Sequence, residues 1–156
     1  MLAMYDAQVV TGKNYSVQTR WLPALSADAI DALIGAGRAR VSPSSGIVIQ
    51  HFHGAGTRVA TQATAFGLRR RHFMIEIVAA WESAPGEDGA IHRRWARDLS
   101  TALEPLAIPG GYPDLLTPDA YERVDAAYGC NALRLRRLKR RFDPDDVFSC
   151  ATALPG

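Results

Sequence analysis

His51 and His53 stand two residues apart at the end of an apolar, β-branched run, Ile47–Phe52, that predicts a strand. On a strand this spacing turns both imidazoles to one face. Histidine titrates close enough to neutral pH to act as a general base. The same pair also reads as two half-buried sheet histidines with structural hydrogen bonds. A metal would need further ligands, and no third one sits at a telling spacing. Tyr112 and Asp114 form a second pair, alternating on an extended segment after Gly110-Gly111. They place a phenol and a carboxylate on one side, or a loop tyrosine against a sheet. Tyr128 and Asn131 flank Gly129, where one predicted helix ends and another begins. Without a ligand they read as a packed aromatic and an N-cap. Arg69-Arg70-Arg71-His72 and Arg93-Arg94 look like anion sites, against the plainer reading of a solvated loop and a solvated helix face, which is preferred. Ser16, Ser44 and Ser100 lack the context of a nucleophile elbow, which leaves hydrolase chemistry without support.

The elements that must hold these groups follow from pattern. Val9-Val10 and Tyr15–Leu22 predict short strands. Ser26 reads as the N-cap of a helix with Ile30, Leu33 and Ile34 on one face, ended by Gly35 and Gly37. After Ile47–Phe52, His53-Gly54-Ala55-Gly56 bends the chain and Thr57–Thr61 should return as a strand. Phe73–Trp81 alternates, with Phe73, Ile75, Ile77 and Ala79 on one face and Met74, Glu76 and Val78 on the other. A Gly- and Pro-rich loop leads to a helix over about 89–104, with a stripe of Ile91, Trp95, Leu99, Ala102 and Leu103. Thr117-Pro118 starts a helix reaching about Ala127. A basic helix then covers about Asn131–Phe142, its Leu135, Leu138 and Phe142 expected on a core, with Asp143-Pro144 as a stop and Phe148 packing the tail. Strands grouped ahead of helices predict an α+β class, an antiparallel sheet with helices on one face.

The 156 residues suit one domain over 1–156, with 47% apolar and 22% charged residues, an ordinary soluble composition. A net charge of +2 does not call for nucleic acid. No apolar run reaches the roughly 20 residues that span a bilayer, and no signal peptide is recognisable. Cys130 and Cys150 have no CxxC or metal spacing and read as reduced thiols of a cytoplasmic protein.

The chain's last third carries a more specific pattern. Tyr128, Gly129, Asn131, Arg134, Leu135, Lys139, Phe142, Asp143, Pro144 and Phe148 resemble the closing segment of the berberine bridge enzyme-like FAD-linked oxidoreductases, within the vanillyl-alcohol oxidase superfamily. Upstream, His53-Gly54-Ala55-Gly56, Arg58, Thr64-Ala65-Phe66, Phe73–Trp81, Trp95-Ala96-Arg97 and Tyr112-Pro113-Asp114-Leu115 are similar to that family's C-terminal half. The resemblance implies an antiparallel sheet that roofs the isoalloxazine of FAD, and an enzyme that moves a hydride from a small organic substrate to FAD, with dioxygen as final acceptor. It places His51 where some plant relatives carry a basic carboxylate, brings Tyr112 and Asp114 near flavin or substrate, and puts Tyr128 and Asn131 against the flavin. Asp114 replaces an Asn of the relatives, and Leu115 stands where many have a catalytic Tyr. The family's FAD-binding domain lies upstream, and no Gly-rich phosphate cradle occurs in this sequence. The expectation is a substrate-domain half that does not retain FAD alone. It would need a partner chain with the FAD domain, or be a truncated remnant, and its uncovered face is expected to form a homodimer or a hetero-complex. The alternative is a cofactor-free protein that binds a small molecule or catalyses proton transfer or cyclisation.

Overall fold

The structure, a computed structural model, describes residues 11–86, 88–116 and 121–148, with the side chains of Tyr121 and Glu122 left aside. Val9-Val10, Thr117-Pro118 and Cys150 lie outside the described residues. Three strands, β1 (Lys13–Leu22), β2 (Gly46–Phe52) and β3 (His72–Glu82), form an antiparallel sheet in the order β1-β3-β2. The helices are α1 (Ala27–Arg38), α2 (Ala90–Leu103), α3 (Tyr121–Tyr128) and α4 (Ala132–Phe142). The α+β architecture is the one the sequence predicts.

β3 runs down the middle because its alternation serves two faces. Ile75, Ile77 and Ala79 are fully buried and meet α1 and α2 through Leu33, Trp95, Ala96, Leu99 and Leu103. Trp95 also donates its indole N–H to the Ala36 carbonyl at 2.9 Å, which fastens α2 to α1. That contact explains why α1 passes through Gly35 and Gly37 instead of ending there: tertiary packing outweighs the helix penalty of roughly 1 kcal/mol per glycine. Ser26 caps α1 as expected, accepting from the Ala29 amide at 3.3 Å. The inner stripe of α1 is Ala29 and Leu33, with Ala32 and Ala36, and these small residues let α2 approach closely. Ile30 and Ile34 point outward instead of joining it. On α2 the buried stripe is rotated from the predicted one. Ile91 and Ala102 are exposed, and His92 takes an inner position stacked on Trp81 at 5.2 Å.

The predicted return strand at Thr57–Thr61 does not form. Gly54 adopts a φ of +70° and the Thr57 hydroxyl donates back to its carbonyl at 2.9 Å, closing a 3₁₀ turn over Gly54–Arg58. An irregular loop then carries the chain to β3. A second cluster, Trp21, Ile108, Leu116, Val124 and Ala127, covers one end of the other sheet face. Gly110 makes this possible: its φ is +104°, and a Cβ there would lie 2.9 Å from both the Ala127 nitrogen and the Trp21 ring. Arg123 ties the cluster together, donating to the Gly110 carbonyl at 3.0 and 3.2 Å and to the Thr19 carbonyl. Burial pushes its guanidinium pKa down to about 10, so it stays charged at neutral pH.

α4 departs from expectation. Among its described residues only Ala132 is buried, while Leu138, Phe142 and the following Phe148 are exposed. What holds its end is polar. Asp143 accepts from the Val147 and Phe148 amides at 2.8 and 3.0 Å and pairs with Lys139.

Candidate functional site

The strand registers set the site. Gln50 lies opposite Met74, Phe52 opposite His72, Thr19 opposite Glu76 and Trp21 opposite Met74. These side chains share the face turned away from the α1–α2 core. Gln50, Phe52, His72, Met74 and Glu76 floor a half-open cavity of about 540 Å³, a volume suited to a drug-sized molecule. Phe66 walls it from the loop before β3, and Tyr112 and Leu115 stand at its lip.

Glu76 is the carboxylate lining this cavity. It is half-buried, and Gln50 donates to it at 3.4 Å, a long bond that leaves acceptor capacity facing the cavity. Arg69 brings a positive charge to the wall, but its guanidinium is engaged elsewhere. It bonds the Phe66 carbonyl at 3.1 Å, the Gly56 carbonyl at 3.4 Å and the Thr64 hydroxyl.

His72 is buried between Phe52, stacked at 4.8 Å, and Trp21, edge-on at 5.7 Å. Its Nδ1 faces the Arg70 carbonyl at 2.8 Å, so Nδ1 carries the proton and Nε2 is the acceptor of a neutral ring. Burial lowers its pKa from 6.5. The hydrogen bond to Arg70 partly opposes this, and the charge of Arg70 adds to it. A depressed histidine makes the unfolded chain the better proton binder below about pH 6.5. Stability should therefore be complete above that pH and fall as pH drops toward the folded-state value. Denaturation midpoints from pH 7.5 to 5 should show this slope, and His72→Phe should flatten it. An unchanged slope in that variant would show that His72 is not its source.

Of the residues singled out from sequence, His51 and His53 do come together, with ring centroids 4.4 Å apart. His51 also stacks on Phe73 at 4.4 Å. Its register partner is Phe73, so alternation sets it on the α1–α2 side and it meets the cavity only at the rim. Burial lowers its pKa, and the charges of His53 and Arg71 lower it further. His53 lies past the strand end, just before the Gly54–Arg58 turn. Tyr112 and Asp114 do not alternate, because Pro113–Leu115 winds into a 3₁₀ turn. The turn brings Tyr112 and Leu115 to the cavity and leaves Asp114 exposed outside its lining. Tyr128 packs half-buried against the Trp21 cluster. Asn131 is buried and caps no helix with its side chain. Its amide donates to the carbonyls of Thr61, Thr64 and Ala65 at 2.8, 3.2 and 3.3 Å. Sequence reasoning passed over Gln50 and Glu76, and it read His72 as part of a solvated loop, whereas that residue opens β3 and is buried. The signal was present for Glu76: the alternation of Phe73–Trp81 already set it opposite the core residues. Among the described residues no cluster of three or more His, Cys, Asp or Glu could hold a metal, and no helix is long and apolar enough to cross a membrane.

The sheet is thus packed by α1 and α2 on one face and hollowed on the other. Its sequence and fold have known relatives. Residues 105–155 match the family described as "Berberine and berberine like". The chain is 31% identical to the FAD-linked oxidoreductase aurO of Gibberella zeae over 140 residues, 89% of this chain and 26% of that protein. It is 35% identical over 111 residues to the uncharacterized FAD-linked oxidoreductase YgaK of Bacillus subtilis, 68% of this chain and 23% of that one. In fold it is similar to BBE-like #28 from Arabidopsis thaliana, with a TM-score of 0.78 at 19% identity, over 99% of this chain and 36% of that one. Its last third thus carries the berberine-like family's domain, and the chain as a whole is similar to FAD-linked oxidoreductases, spanning about a quarter of the length of these curated relatives.

The residues present suit one end of FAD. The flat aromatic walls of Phe52, Phe66 and Tyr112 and the Met74 thioether match a ring system. For the pyrophosphate, the described residues offer no glycine-rich turn opening onto a helix. Gly89, which precedes α2 at a φ of +69°, is filled by the Trp81 ring, 2.2 Å from where a Cβ would lie.

Proposed function

We infer that this chain is the substrate-covering portion of a berberine bridge enzyme-like oxidoreductase, completed by a flavin-binding portion supplied by a partner chain or by a longer protein of which this is a piece. FAD, when bound, supplies the acceptor for the substrate's electrons. The chain's residues do the rest. Phe52, Phe66 and Tyr112 hold an organic substrate flat and exclude water from it. Glu76 takes the proton from the substrate's hydroxyl or amine, and Gln50 orients that carboxylate. The observation that carries this reading is the half-buried Glu76 on the cavity floor, beside the Gln50 amide and under aromatic walls. Glu76 thereby fills the role that Leu115 leaves vacant in place of a phenol. His51, at the rim with a lowered pKa, is the second candidate for the same proton. A homodimer through the cavity face remains the alternative cover.

The first test is spectroscopic. The purified chain alone should release no stoichiometric FAD on denaturation. Coexpression with a flavin-binding polypeptide should yield a yellow complex that contains both chains. Stoichiometric FAD held by the isolated chain would overturn the reading that the flavin-binding portion lies outside it. A monodisperse dimer that never takes up a flavin chain would favour the cofactor-free alternative.

A further inference from the structure

The loop of residues 59–71 walls the cavity with Phe66, yet it belongs to no strand or helix. Its own backbone bonds are few: the Ala63 amide donates to the Ala60 carbonyl and the Arg69 amide to that of Gly67. Arg69 ties it internally through the Phe66 and Gly56 carbonyls and the Thr64 hydroxyl, and its anchor to the rest of the fold comes from the junction of α3 and α4, more than 60 residues later. Asn131 gives its amide to three loop carbonyls, Thr61, Thr64 and Ala65. Arg134, one turn on, donates to the next free carbonyl, that of Gln62, at 3.3 Å. At the loop's far end a Cβ on Gly67 would lie 2.8 Å from the Tyr128 carbonyl and 3.2 Å from the Asn131 amide, so only glycine lets the loop sit this close.

The clamped segment ends at the cavity. Phe66 stands edge-on to Trp21 at 6.0 Å and 5.5 Å from Phe52. A shift of the loop would therefore move a cavity wall. We propose that Asn131, with Arg134, is a positioning residue that fixes Phe66 and hence the shape of the substrate cavity. Tyr128, Asn131 and Arg134 then act together as a loop clamp, through backbone carbonyls and without touching the ligand. The meaning of the cavity rests on the proposed function, but the clamp itself can be tested without flavin or substrate.

Hydrogen exchange by mass spectrometry on the full chain decides it. In Asn131→Asp, which keeps the shape but turns a carboxylate toward three carbonyls, the bonded loop amides of Ala63 and Arg69 should exchange at least about tenfold faster. Residues 73–81 of β3 should be unchanged. Asn131→Leu should behave alike. In protein labelled with 4-fluorophenylalanine, the resonance assigned to Phe66 through Phe66→Tyr should move toward its unfolded position, while that of Phe73 stays. A loop still protected in Asn131→Asp would overturn the proposal, since the amide donors would not be the clamp. Faster exchange in loop and β3 alike would also overturn it, since Asn131 would then only stabilise the fold. If neither Asn131 variant folds, Arg134→Met, on the exposed side of the clamp, is the deciding variant: faster exchange confined to the loop supports the proposal, and none refutes it.

Discussion

Trp95→Ala should lower the stability of the chain by about 3–5 kcal/mol, read as a shift in chemical denaturation midpoint at unchanged slope. The indole is 7% exposed and wedged between the sheet and α1, in the cluster that contains Ile75, Ile77 and Leu33. Truncation would open a cavity there and leave the Ala36 carbonyl without its donor. Domains of this kind have about 5–15 kcal/mol in total, so the variant should stand near the edge of folding. Ile91→Ala is the control. It sits on the same helix, one turn away and 60% exposed, and should shift the midpoint by less than about 0.5 kcal/mol. Equal effects at the two positions would mean that α2 packs through a different face.

Periodicity made most of the framework readable. β3 was legible because both of its faces are used: a buried strand between two helices and a cavity keeps strict alternation. The helices were legible in place, but α1 outruns its glycines, and the buried faces of α1 and α2 are rotated. Ile30, Ile34 and Ile91 are larger and more apolar than Ala29 and His92, so hydropathy alone favours them. Close packing instead selects alanine where α1 and α2 approach, and an aromatic stack where His92 meets Trp81. The 59–71 loop left no periodic trace. Its conformation depends on bonds from Asn131 and Arg134, and contacts at that sequence separation have no signature in local pattern. The same holds for the site. The closing motif was recognisable, but the carboxylate of the cavity floor was hidden as the polar member of a strand. The histidine pair drew attention by its spacing, although the register turns His51 toward Phe73.

Glu76→Gln should lower turnover by about 10²-fold or more in the assembled flavin complex, while leaving folding almost intact. The first expectation follows from losing a positioned base, whose contribution is typically 10²–10⁴-fold. The second follows from the setting. Glu76 is half-buried on the open face, it accepts from the amide of Gln50 at 3.4 Å, and glutamine preserves its length and shape. The midpoint of denaturation should therefore move by less than about 0.5 kcal/mol. Oxygen consumption by the complex, with whichever aryl alcohol or amine a substrate screen identifies, measures the effect. His51→Ala is the informative companion. Its ring belongs to the stack with Phe73 and His53 and reaches the cavity only at the rim, so its loss should change turnover by a few-fold at most. The reverse ranking, with a large loss at His51 and turnover within about threefold at Glu76, would transfer the proton-accepting role to the histidine. It would also mean that the substrate approaches from the β2 end of the sheet and not over its central strand.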